Sequence, residues 1–84
     1  MSGFVYILRD SRSRFYIGST DNLSRRLYAH LNGHTQTTRN MRAPTLVFSQ
    51  EYPTLSMARI IERRLKKLKR KDYIEKIVRD GYIR

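Results

Sequence analysis

Two short runs rich in β-branched and aromatic residues stand close together near the start of the chain, Phe4 to Leu8 and Phe15 to Ile17. Between them lies Asp10-Ser11-Arg12-Ser13, a segment of turn composition. The pattern predicts strand, turn, strand, a hairpin that the rest of the chain must cover. The second run has an unusual sequel. It ends in Gly18 and leads through Ser19, Thr20, Asp21 and Asn22 to Leu23, Leu27 and Leu31, which recur every four residues. That spacing predicts a helix with a narrow apolar stripe, capped by Asp21 or Asn22 and ended by Gly33. At about 100° per residue, Arg26 and His30 share one edge of the stripe, one turn apart. A plain hairpin needs no such continuation.

The remaining elements follow by the same rules. Residues 34–43 have no apolar periodicity and read as a polar, basic loop. Thr45 to Tyr52, bounded by Pro44 and Pro53, is a third strand. Thr54 or Ser56 caps the next helix, whose Met57, Ala58, Ile61, Leu65 and Leu68 lie within one arc. Glu62 sits beside that arc, and Arg59, Arg63, Lys66, Lys67 and Arg70 cover the far side. Asp72 is expected to cap a last short helix with Tyr73, Ile74, Ile77 and Val78 facing inward and Gly81 as its stop. The fold class is therefore α/β: a small three-stranded sheet with packed helices, in the order β-β-α-β-α-α. A length of 84 residues fits one domain, 1–84, with one modest core.

Charge narrows the function. The chain carries 18 Lys and Arg against 7 Asp and Glu, a net +11. Eleven of the basic residues follow Ala58. Such an excess on a small domain points to a polyanionic partner, most often nucleic acid. The rival reading is a solvated basic helix face. Without cysteine there is no disulfide framework or thiolate metal site, so a cytoplasmic protein is the default expectation. No apolar run approaches the roughly 18 residues of a membrane span. The cationic helix also lacks the large aromatic face that insertion into an anionic membrane would need.

Each candidate site residue has two readings. Tyr6 and Tyr16 lie on adjacent strands and can either pack the sheet or approach one another at a site. Arg26 and His30 are either surface residues at a core edge or side chains aimed into a shared cleft. Glu62 is either the partner of Lys66 one turn on or a metal ligand. Zinc on His30 and His34 fits poorly, because Asn32-Gly33 breaks the helix between them and no further histidine or cysteine completes a shell. Neither a nucleophile elbow nor a glycine-rich phosphate loop is present.

Taken together these residues resemble the GIY-YIG nuclease superfamily, in its short single-domain branch. Tyr16-Ile17-Gly18 matches the second triplet literally. Phe4-Val5-Tyr6 aligns with the first, with Phe for Gly and Val for Ile. The run YIGSTDNLSRRLYAH is similar to the family's Y-I-G-x-T-x-x-L-x-x-R-x-x-x-H, with Gly18, Thr20, Leu23, Arg26 and His30 in register. ARIIERRLKKLKR resembles the family's helix with its single acidic residue, Glu62. The stretch from TTR at 37–39 to LVFSQEY resembles the loop and third strand of the short branch.

The resemblance implies divalent-metal-dependent hydrolysis of phosphodiester bonds in nucleic acid, DNA being the expected substrate. It implies Glu62 as sole protein ligand of Mg²⁺ or Mn²⁺, and Arg26 as stabiliser of charge on the phosphoryl oxygens. Tyr6, Tyr16 and His30 would act on the attacking water, with the base left open between Tyr6 and His30. Gly18 and Thr20 shape the motif backbone. Arg39, Arg42, Arg63, Lys66, Lys67 and Arg70 are the candidate nucleic-acid contacts. Specificity would come from the 34–43 loop, the basic C-terminal third or a protein partner. The alternative is a basic nucleic-acid-binding module on a nuclease fold that does not cut.

Overall fold

The elements run β1 (Gly3–Arg9), β2 (Phe15–Thr20), α1 (Leu23–Leu31), β3 (Thr45–Tyr52), α2 (Leu55–Leu68) and α3 (Lys71–Asp80). The computed structural model describes residues 2–31, 44–68 and 70–83, with the backbone alone at positions 30 and 31. The expected stop at Gly33 and the 34–43 loop, with Arg39 and Arg42, lie outside the described residues. The three strands form one antiparallel sheet in the order β2-β1-β3, so β1 is central. The expected β-β-α-β-α-α order is the observed one.

The hairpin turn is organised by one carboxylate. Asp10 is buried, and its side chain accepts the backbone N–H groups of Arg12 (3.0 Å) and Arg14 (2.8 Å). The Arg14 guanidinium closes the ring at 2.9 Å. The Ser13 N–H donates to the Asp10 carbonyl at 3.0 Å, and Ser13 takes the left-handed conformation (φ 64°) that lets the chain rejoin the ladder.

Register then sorts side chains between the faces of the sheet. Ile7 lies opposite both Ile17 and Phe48, and with Val5 these residues pack on Ala58 and Leu65 of α2 and Ile74 and Ile77 of α3. This is the main core. Tyr6 and Leu8 alternate to the other face, where they are fully buried too. On the β3 side the ladder slips between Ile7 and Leu8, with Val47 as the extra residue.

Helix ends follow local chemistry. Asn22 Oδ1 accepts the Arg25 N–H at 3.0 Å, and Thr54 Oγ1 accepts the Met57 N–H at 3.2 Å. Gly81 ends α3 with φ 82° and an N–H bond to the Ile77 carbonyl at 2.8 Å. Three expectations are corrected. Asp72 is not the cap of α3. Arg70 occupies the cap position without a side-chain bond, and Asp72 lies inside the first turn, paired with Arg70 at 2.9 Å. A carboxylate there still suits the positive end of the helix. Met57 and Leu68, expected inward, are 45% and 44% exposed because they stand on the terminal turns of α2.

Asp10 makes the turn pH-sensitive. Burial alone would raise its pKa, but the bonds from Arg14 and Arg12 outweigh burial and hold it below the ordinary 3.8. A depressed carboxylate stabilises the fold above its unfolded value and loses that contribution as pH falls through the folded value. Asp10→Asn should lower the melting temperature at pH 7. The gap to wild type should close as pH drops below 3.8.

Candidate functional site

The site begins with a side chain that must cross a neighbouring strand. Tyr6 lies on central β1 directly opposite Gly18 of edge strand β2. Its ring passes over Gly18 so closely that a β-carbon there would sit 2.5 Å from Tyr6 Cζ and closer still to the hydroxyl oxygen. Gly18 has no positive φ, so it serves here by lacking a side chain. The Tyr6 hydroxyl thereby reaches the sheet edge, where Arg26 Nε of α1 donates to it at 3.3 Å. Tyr16 stands beside it, with ring centroids 6.3 Å apart and planes tilted by 47°.

Thr20 and Asn22 fix how α1 arrives. Thr20 is buried; its hydroxyl donates to the Asn22 carbonyl (3.2 Å) and accepts the Asn22 N–H (3.1 Å). This closes the turn between β2 and α1 one residue before the helix starts. Thr20 therefore positions Arg26 through the backbone without lining the cleft. Arg25, the next residue back, pairs instead with exposed Asp21 at 3.2 Å. Position 30 lies one turn beyond Arg26 on α1, but the His30 side chain is outside the described residues.

The other wall comes from α2. The backbone of Gly3 meets the start of this helix, where an added β-carbon would lie 2.5 Å from Leu55 Cα. The close approach at the first motif is thus made by Gly3, next to Phe4. From that anchor α2 crosses β1 and β2 and brings Arg59, Glu62 and Arg63 to the cleft. These residues fall at i, i+3 and i+4, on one helix face. The far-side placement expected for Arg59, Arg63 and Lys66 is therefore corrected. They flank Glu62 on the stripe that meets the edge of β2.

Tyr6, Tyr16, Gly18, Ser19, Arg26, Arg59, Glu62 and Arg63 together line a cleft of about 350 Å³. Glu62 is partly exposed in it. Its Oε1 accepts a hydrogen bond from the Ser19 hydroxyl, and its Oε2 pairs with Lys66 Nζ at 2.6 Å. Lys66 also lies 5.6 Å from the Tyr16 ring centroid. Ser19 and Arg59 were missed in the sequence, although both had a signal. Ser19 is the cross-strand partner of Val5, so it faces α2. Arg59 precedes Glu62 by one helical turn. Among the candidate nucleic-acid contacts, Arg63 lines the cleft, Lys66 adjoins it, Arg70 is tied to Asp72, and Lys67 is exposed on α2.

The donor set fits a hard divalent cation. Glu62 offers carboxylate oxygen, the nearby Ser19, Tyr6 and Tyr16 offer hydroxyl oxygen, and each carboxylate oxygen keeps a lone pair beyond the one engaged. Among the described residues no three acidic or imidazole side chains cluster as a metal cage. One carboxylate suits a cation such as Mg²⁺ that retains most of its waters.

Comparison with known proteins gives the family and supports the fold. The GIY-YIG catalytic domain family matches residues 2–76. The chain belongs to the GIY-YIG family. The fold is also similar to the solution NMR structure of the UPF0213 protein BH0048 from Bacillus halodurans. That similarity has a TM-score of 0.61 at 28% identity, over 96% of this chain and 87% of that one. No curated protein matched the sequence. Membership places the chain in a nuclease superfamily. Among the described residues no helix is long and apolar enough to cross a membrane.

Two measurements test the central contact. Gly18→Ala should destabilise the fold by about 1–3 kcal/mol, the usual cost of overpacking. The cost should shrink in a Tyr6→Ala background, as a double-mutant cycle of melts would show. The second concerns protonation. Burial, opposed by the Arg26 hydrogen bond and helped by Tyr16 and Glu62, pushes the Tyr6 pKa from 10.0 up to about 12. Neutral Tyr6 thus stabilises the fold fully below pH 10.0, and that contribution is lost as pH rises through about 12. The tyrosinate absorbance of wild type minus Tyr6→Phe should stay flat through pH 10.0 and rise only near 12.

Proposed function

We propose that this GIY-YIG chain is a divalent-metal-dependent endonuclease that hydrolyses phosphodiester bonds, with DNA as substrate. The observation that carries the proposal is the convergence of Tyr6, Tyr16, Arg26 and Glu62, from β1, β2, α1 and α2, on one cleft. Sheet packing alone would account for the tyrosines, but not for a carboxylate that lines the same cleft as Arg26, Arg59 and Arg63.

Glu62 would hold the cation, positioned by the Ser19 hydroxyl. Bound Mg²⁺ or Mn²⁺ supplies Lewis-acid stabilisation of the phosphate and of the water it carries. Arg26 donates into the cleft beside the Tyr6 hydroxyl, where negative charge grows on the phosphoryl oxygens. Hydrogen bonding to Tyr6, opposed by partial burial, raises its pKa above the ordinary arginine value, so it stays a cation throughout. Tyr6 and Tyr16 present hydroxyls that can hold a water in line with the phosphorus. Arg59 and Arg63 neutralise the approaching phosphodiester. His30, whose backbone lies one turn beyond Arg26 on α1, would serve as the proton acceptor for this group.

Cleavage of labelled DNA with Mg²⁺ or Mn²⁺, with and without EDTA, tests the proposal directly. Glu62→Gln should abolish metal-dependent cutting and leave the melting temperature close to wild type. Arg26→Ala should slow single-turnover cleavage by about 10²–10³-fold, the scale of one lost transition-state donor. Arg25→Ala should hardly change the rate, because its partner is exposed Asp21. Equal losses for the two arginines, or Mg²⁺-dependent cutting by Glu62→Gln, would overturn the assignment.

A further inference from the structure

A second cavity of about 430 Å³ opens beside the proposed catalytic cleft. Tyr16 lines both spaces, and Lys66 joins them, pairing with Glu62 on one side and lining the cavity on the other. Its floor is the exposed rim of the core, from Ile17, Leu65 and Ile74, each 8% exposed or less. Phe15 and Tyr16, both half-buried, add aromatic surface. The rim is cationic, with Lys66, Arg70 and Lys71. The volume falls within the roughly 300–1,000 Å³ of clefts that take small organic groups.

Rim and floor ask for different chemistry from one ligand. The floor gains from flat apolar surface, and the rim from negative charge at its border. A nucleobase carried on a phosphodiester chain supplies both, since any base has a π-face to lay on aromatic and aliphatic side chains. The aromatic side chains that front the cavity belong to the strand that fronts the cleft, so a base here would lie within a nucleotide or so of the phosphate at Arg26.

We infer that this cavity is a base-binding subsite. It takes one unstacked nucleobase adjacent to the phosphodiester held in the Tyr6–Glu62 cleft, with Lys66 and Lys71 meeting the flanking phosphates. The inference rests on the nucleic-acid reading above and adds a demand on the substrate. A continuous duplex stack offers no base to the cavity, so the nucleotide beside the cleft must be unpaired or turned out of its helix.

The test is binding, measured without cleavage. Wild-type protein in EDTA is titrated with a set of single-stranded DNA oligonucleotides, each carrying one abasic site at a different position. One position should bind about 5- to 150-fold more weakly, the span expected for one lost base stack. Phe15→Leu keeps apolar bulk and removes the ring; in that variant the positional penalty should shrink. Methyl NMR of Ile17, Leu65 and Ile74 should show ring-current shifts with the intact oligonucleotide and not with the one lacking the critical base. A flat abasic profile, or methyl signals that stay still while binding saturates, would overturn the subsite and leave the nuclease reading standing. Absence of any oligonucleotide binding would overturn both.

Discussion

The site depends on the ring of Tyr6 lying across Gly18. A residue on the central strand of a three-stranded sheet is remote from either edge, and its neighbours normally block its side chain from reaching one. Here the facing residue has no side chain, so the tyrosine spans β2 and delivers its hydroxyl to the rim while its ring remains fully buried. Burial fixes the ring, and the fixed ring fixes the hydroxyl that Arg26 addresses. The position of Arg26 depends in turn on the Thr20–Asn22 turn, which begins two residues after Gly18 and ends one residue before α1. A single stretch of edge strand thus accommodates the Tyr6 ring and launches the helix bearing Arg26.

The opposite wall follows a different rule. Helix α2 is anchored by the bare backbone of Gly3 and by Ala58 and Leu65 in the core. Its rotation about that anchor leaves Arg59, Glu62, Arg63 and Lys66 in one row along β2. Within the row Lys66 closes on Glu62 and the other cations remain beside it. The cleft therefore carries a surplus of positive charge around one carboxylate. An anionic substrate complements such an arrangement, and a neutral one gains little from it. Along the row Arg59, Glu62 and Arg63 border the cleft, and Lys66 borders the aromatic-walled cavity.

Local rules made much of this legible. The hairpin, the Asn22 and Thr54 caps, the Gly81 stop and the order of elements follow from turn composition, capping chemistry and apolar spacing, all confined to a few neighbouring residues. The pairing of Glu62 with Lys66 is likewise an i,i+4 relation. Features set by tertiary contact were harder to read. A helical wheel orders Arg59 and Arg63 around α2 but does not say which side of its apolar arc borders the sheet edge, so they were assigned to the far side. The face that Ser19 occupies is set by its pairing with Val5, a contact across strands. The need for Gly18 came from a side chain twelve residues earlier, and that for Gly3 from a helix that begins more than fifty residues later.

The protonation state of Tyr6 constrains the proposed chemistry further. With a pKa of about 12, close to one molecule in 10⁵ carries the phenolate at pH 7. Arg26 donates to the phenolic oxygen, which accepts that bond as a neutral hydroxyl. Such a group can orient a water or a phosphoryl oxygen without being ionised. To accept a proton from the attacking water it must pass its own to another group in the same step. On the proposed reading the requirement falls on His30, whose backbone position lies one turn beyond Arg26 on α1. Burial that anchors the tyrosine thus makes it a poor base by itself, and on the proposed reading the proton it would take must pass on to α1.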